Sequence, residues 1–96
     1  MVSRRLQEPP SLPGAELVEK GLADLAQGAE TVESLLVSIG APRLRSLGFL
    51  AASPFDDAEE RLYLLLARDD PGGAHSHYNG LVRRLVSFER AAESAR

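Results

Sequence analysis

The sequence predicts an all-α fold: a small antiparallel bundle of three main helices and one short helix. Three observations carry this expectation. Apolar or small residues recur at Ala15, Val18, Leu22, Leu25, Ala29, Val32, Leu36 and Ile39, alternating steps of three and four, which is the period of one helix face. A second face, Phe55, Ala58, Leu62, Leu65 and Leu66, and a third, Tyr78, Leu81, Leu85, Phe88 and Ala92, follow at similar spacing. No segment alternates apolar and polar residues as a half-buried strand does, and the apolar run from Leu62 to Ala67 is leucine and alanine without valine or isoleucine.

The elements are expected in this order. Residues 1–12 form a flexible, proline-containing arm, with Pro9, Pro10 and Pro13 favouring extended backbone, and residues 13–96 form a single helical domain. Pro10 and Pro13 have the P-x-x-P spacing that could dock into an aromatic groove, but a plain leader before a helix is the better reading. One long helix is expected from about residue 13 to 39, capped by Ser11, opened by Pro13 and stopped by Gly40 and Pro42. Pro42 opens a short helix through Leu47, ended by Gly48, with Phe49 and Leu50 plugging the end of the bundle. Ser53-Pro54 starts the next helix, where Asp56, Asp57, Glu59 and Glu60 meet the positive end of the dipole, and Tyr63 and Leu64 widen its buried side. Asp69 to Gly73 reads as a turn, and the last helix starts at Pro71 or after Ser76.

Size and charge narrow the function classes. A chain of 96 residues is one domain with a thin core, for which association is a common remedy. The net charge of −3 makes nucleic acid an improbable partner. With no cysteine there is no disulfide, thiolate metal site or cysteine nucleophile. No apolar run approaches a membrane span, and Gln7, Glu8, Pro9 and Pro10 stand where a signal peptide needs apolar residues, so a cytoplasmic location is expected. Ten of the eleven basic residues are arginine, a bias typical of GC-rich bacterial genomes. Six acids against Arg61 and Arg68 in residues 56–70 face four arginines against Glu89 and Glu93 in residues 71–96, so opposite charge is expected across the seam of the last two helices.

Gly14, Gly21 and Gly28 fall seven residues apart beside the first stripe. An interior glycine costs about 1 kcal/mol relative to alanine, so the repeat asks for a packing reason. A 27-residue helix would run roughly 40 Å, longer than the helices that follow can cover. The leading expectation is therefore a non-enzymatic protein-interaction module that forms a homodimer, its helix-packing interface built on Gly21, Leu25, Gly28, Val32 and Leu36, with no cofactor.

Residue types suited to catalysis are concentrated only between Arg68 and Tyr78, where both histidines lie. His75 and His77 with Asp69 or Asp70 offer nitrogen and oxygen ligands for zinc, but two residues apart on a helix the rings diverge. Arg68 and His75, with six residues between them, resemble the R-x4-6-H motif of the HEPN superfamily, helical domains that include ribonucleases. The resemblance implies a histidine that moves the proton of a 2′-hydroxyl and an arginine that stabilises the phosphate. It spans eight residues and lacks the polar asparagine that often follows the arginine, while Asp69 and Asp70 would repel a phosphate backbone. A small ribonuclease-like or metal-binding enzyme using Arg68, His75 and His77 is thus the alternative, beside a plain helix entry with polar caps.

Overall fold

The computed structural model describes residues 12–50 and 52–95, which form five helices and no strand. The expected arm falls outside these residues except for Leu12, as does Ser11, the expected first cap. The helices are α1 (Ala15–Ala26), α2 (Val32–Ile39), α3 (Ala41–Ser46), α4 (Ala58–Asp69) and α5 (Ala74–Ser94). The fold class is all-α as expected, but the first long helix is two helices folded into a hairpin.

The break is built from local chemistry. Gly28 has φ 73°, the left-handed conformation that glycine adopts without strain. Its N–H donates to the Leu25 carbonyl at 3.0 Å, and the Ala29 N–H donates to the Asp24 carbonyl at 2.8 Å. That pair of bonds is the Schellman end of a helix, satisfying carbonyls that α1 would otherwise leave open. Thr31 then caps α2: its hydroxyl accepts from the Ser34 N–H at 3.1 Å, while its own N–H donates to Ser34 Oγ at 2.8 Å. The Thr31 hydroxyl also donates to Asp24 at 2.7 Å, and Lys20 donates to the same carboxylate at 2.6 Å. These bonds hold the Asp24 carboxyl below its ordinary pKa, Lys20 first and Thr31 second.

The hairpin closes because Gly21 has no side chain. A Cβ there would lie 2.7 Å from Val37 Cγ1 and closer still to the Glu33 carbonyl oxygen. The glycine repeat therefore has three separate causes. Gly21 admits α2, Gly28 ends α1, and Gly14, at φ 76°, precedes α1 where a Cβ would be 2.8 Å from the Arg84 carbonyl of α5.

Helix α2 is the centre of the molecule and packs against α1, α3, α4 and α5. Every residue from Ser34 to Ser38 is buried, and Leu35, Leu36 and Val37 are completely so. Its polar atoms are used: Ser38 Oγ donates back to the Ser34 carbonyl at 2.8 Å and accepts the Phe55 N–H at 3.0 Å. That second bond fixes the segment before α4, which is why α4 begins at Ala58 after a left-handed Asp57 (φ 52°) and not at Pro54. Arg61 ties the same segment down, donating to the Asp56 carbonyl at 3.0 Å, pairing with Glu30 and lying 5.3 Å over the Phe55 ring.

The remaining helices show a narrower apolar face than expected. On α4, Ala58, Leu62 and Leu66 are buried, whereas Tyr63 and Leu64 are exposed. Helix α5 buries Ala74, Leu81, Leu85, Phe88 and Ala92, and also Glu89. Among the described residues no ion pair crosses the α4–α5 seam. The ion pairs between separate elements are Lys20–Glu33 across α1 and α2, Arg43–Glu93 across α3 and α5, and Arg61 of α4 with Glu30 of the α1–α2 turn, and an edge-to-face contact of Tyr63 with Tyr78 at 6.3 Å occupies the α4–α5 seam instead.

Two stability outcomes follow. In an open helix Gly21→Ala would gain about 1 kcal/mol of propensity. Here the backbone carbonyl of Glu33 blocks the methyl group, so overpacking wins and the variant should unfold at lower urea by about 1–3 kcal/mol. Ser38→Ala leaves the Phe55 N–H without its acceptor and should cost about 1–3 kcal/mol in the same measurement.

Candidate functional site

The residue types picked from sequence do not converge. Arg68 is exposed in the last turn of α4, and His75 and His77 are exposed in the opening turns of α5. Because both histidines are helical, two residues put them about 200° apart around the axis, so they cannot grip one ion from the same side. Asp70 is occupied by the turn: its carboxylate accepts the Gly73 N–H at 3.1 Å. No hydrogen bond or ion pair among the described residues joins Arg68 to His75, and none brings an acid against either histidine. Nor do three or more histidine, aspartate or glutamate side chains gather to hold a metal among the described residues.

The expected self-association surface is redistributed as well. Gly21, Leu25 and Leu36 are buried, Val32 is half-buried, and Gly28 lies exposed in the turn. These residues are used within one chain because the helix they were assigned to is folded back on itself. A 40 Å stripe that lacks intramolecular cover does not exist.

Among the described residues three surface depressions stand out. The largest, about 580 Å³, lies between the α2–α3 junction and the start of α4, bordered by Asp56, Asp57, Glu59, Glu60 and Arg45. It is open, and its acids serve the positive end of α4. The second, about 300 Å³, lies between α1 and α5 and is lined by Leu12, Ala15, Val18, Leu22, Phe49 and Phe88, with Glu19 at its edge. Phe49 is 42% exposed, its ring meeting Phe88 edge to face at 5.2 Å.

The third depression, about 290 Å³, lies between the α2–α3 junction and α5. Ile39, Pro42, Val82, Leu85 and Val86 give it apolar walls, and Glu89 and Arg43 supply the charge. Glu89 is only 8% exposed, and its Oε2 is fully covered with no hydrogen-bond donor from the protein. Gly40 makes room for it: a Cβ there would lie 2.8 Å from Oε2 and 2.9 Å from Leu85 Cδ2. Burial raises the Glu89 carboxyl above its ordinary pKa, with the Arg43 charge working the other way. Arg43 itself pairs with Glu93.

Comparison with protein-family models, curated proteins and solved structures gives no match to this chain. The site has to be read from its own residues. Sequence reasoning placed Glu89 among the charges flanking the α4–α5 seam and not inside the bundle, yet a signal was present. Val82, Leu85, Glu89 and Ala92 follow steps of three, four and three, which places an acid inside an apolar stripe.

The raised pKa of Glu89 has a definite sign. A carboxyl that holds its proton more tightly when folded contributes stability below the unfolded pKa near 4.5 and loses it as pH rises through the folded value. Glu89→Gln, which keeps the shape without the charge, should therefore melt higher than the parent at pH 7. The gap should close as pH falls below about 4.5, the unfolded value, in thermal melts recorded from pH 3 to 8.

Proposed function

We propose that this protein is a small helical interaction module that forms a homodimer and performs no chemistry of its own. The observation that carries the reading is the α1–α5 groove with Phe49 at its side. An aromatic ring 42% exposed beside an apolar groove loses contact with water when a partner covers both. A second copy suits this patch. In a two-fold dimer the same surface meets itself, so the Phe49 of each copy can enter the groove of the other, joining knob and hole in both directions. The small size of the chain supports the same reading, because association adds burial that a thin core lacks.

The exposed, unconnected positions of Arg68, His75 and His77 support a module without an active site over the ribonuclease-like or metal-binding alternative. Among the described residues no helix is long and apolar enough to cross a membrane. A reducing, cytoplasmic setting in a bacterium belongs to the same proposal, resting on the absence of cysteine and the excess of arginine over lysine.

Sedimentation at micromolar concentration tests it. The parent protein should sediment as a dimer and Phe49→Ser as a monomer with unchanged helicity. A parent that stays monomeric removes the proposal.

A further inference from the structure

We propose that residues 9–11 fold back over the α1–α5 groove of their own chain, Pro9 and Pro10 lying against Phe49, as a strap that a second copy has to displace. The inference rests on the reading of this groove as the dimer surface and adds a control on it.

The turn before α1 decides where the arm goes. The Ala15 N–H donates to the Leu12 carbonyl at 3.0 Å, and Gly14 between them has φ 76° and ψ 7°. Those angles belong to the third position of a type II turn, and Pro13 holds the second position, where its fixed φ fits. Such a turn reverses the chain, so the residues that lead into Leu12 approach against the direction of α1. They approach on the groove side, because Leu12 is itself half-buried there and lines the groove with Ala15, Val18 and Leu22. Pro13 is occupied by the turn, which leaves the pair Pro9-Pro10 for contact.

Length and chemistry agree with that path. From Ala15 to Leu22 helix α1 rises about 10 Å, at 1.5 Å per residue. Three residues in the polyproline conformation cover about 9 Å. Ser11, Pro10 and Pro9 therefore run the length of the groove and bring Pro9 level with Leu22. None of the three carries a charge, so entering the apolar groove strips no ion of water, and Glu19 stays exposed at the edge. Phe49 and Phe88, with ring centroids 5.2 Å apart, supply the aromatic lining on which proline segments dock, and proline has little backbone freedom to lose.

The tether sets the competition. A linked segment meets its groove at about millimolar effective concentration, so a contact of millimolar strength closes the groove about half the time. Both copies must be open to dimerise, which raises the dimer dissociation constant about fourfold.

Two measurements on the full chain test the strap. The chain has neither cysteine nor tryptophan, so Glu8→Cys can carry a bimane label that Glu19→Trp, at the exposed groove edge, quenches on contact. At nanomolar concentration the label should be dimmer beside Glu19→Trp than beside the parental Glu19. Pro9→Gly with Pro10→Gly, which frees the backbone and removes both rings, should restore most of the emission. In sedimentation equilibrium of the unlabelled chain, the same double variant should dimerise about fourfold more tightly than the parent. Equal quenching with and without the prolines, or a double variant that dimerises no more tightly than a dimeric parent, overturns the proposal. Quenching seen only at concentrations where the dimer forms would seat the arm on the second copy and overturn it too. A chain that stays monomeric throughout, with proline-dependent quenching, removes the homodimer and upholds the strap.

Discussion

Helix α2 has only eight residues, far fewer than a helix needs to persist alone in water, yet four other helices rest on it. Its survival is a matter of satisfied ends and complete burial. The Thr31–Ser34 capping box closes the first turn, and the Leu36 carbonyl accepts the Gly40 N–H at 3.3 Å at the other end. Between them, Leu35, Leu36 and Val37 are cut off from water in every direction. Ser34 and Ser38 can share that interior because their hydroxyls are hydrogen-bonded, and Ser38 turns this necessity into a joint by receiving the Phe55 backbone.

The neighbours of α2 are placed by what is missing from them as much as by what they carry. Gly21 lets α1 lie against its backbone, and Gly40 lets Leu85 and Glu89 of α5 reach the α2–α3 junction. Close approach of this kind makes a small core dense, which partly offsets the unfavourable surface-to-volume ratio of a short chain. It also explains where polarity collects. Ion pairs such as Arg61–Glu30 and Arg43–Glu93 bind the periphery of the bundle, where they are half-exposed and worth little individually. Glu89 is the exception, a carboxyl held inside by the packing of α5 without a donor of its own.

Two features of the surface differ in kind. The Phe49 groove is a surplus of apolar surface, and the Glu89 groove is a deficit of hydrogen bonding. Both lie on α5, whose 21 residues run past α1 and the α2–α3 junction and leave a depression on each side. The titratable residues that attracted attention in the sequence, Arg68, His75 and His77, sit instead at the exposed α4–α5 turn.

Local chemistry in the sequence determined the helical class, the short α3 opened by Pro42, the turn after Asp69 and the buried faces of α4 and α5 around Leu62, Leu66, Leu81 and Leu85. The reason is that period, caps and turn residues act over a few positions. The Gly28 stop and the Thr31-x-x-Ser34 cap were equally local, but the three-and-four stepping of apolar residues runs across the turn from Leu25 through Ala29 to Val32 and hides it. Tertiary structure alone decided that α1 and α2 fold together through Gly21, that Phe55 docks on Ser38, that Tyr63 and Leu64 face water, and that Glu89 is buried beside Gly40. Each of these depends on which surfaces meet, and a repeating pattern along one chain records that a face is apolar without recording what will cover it.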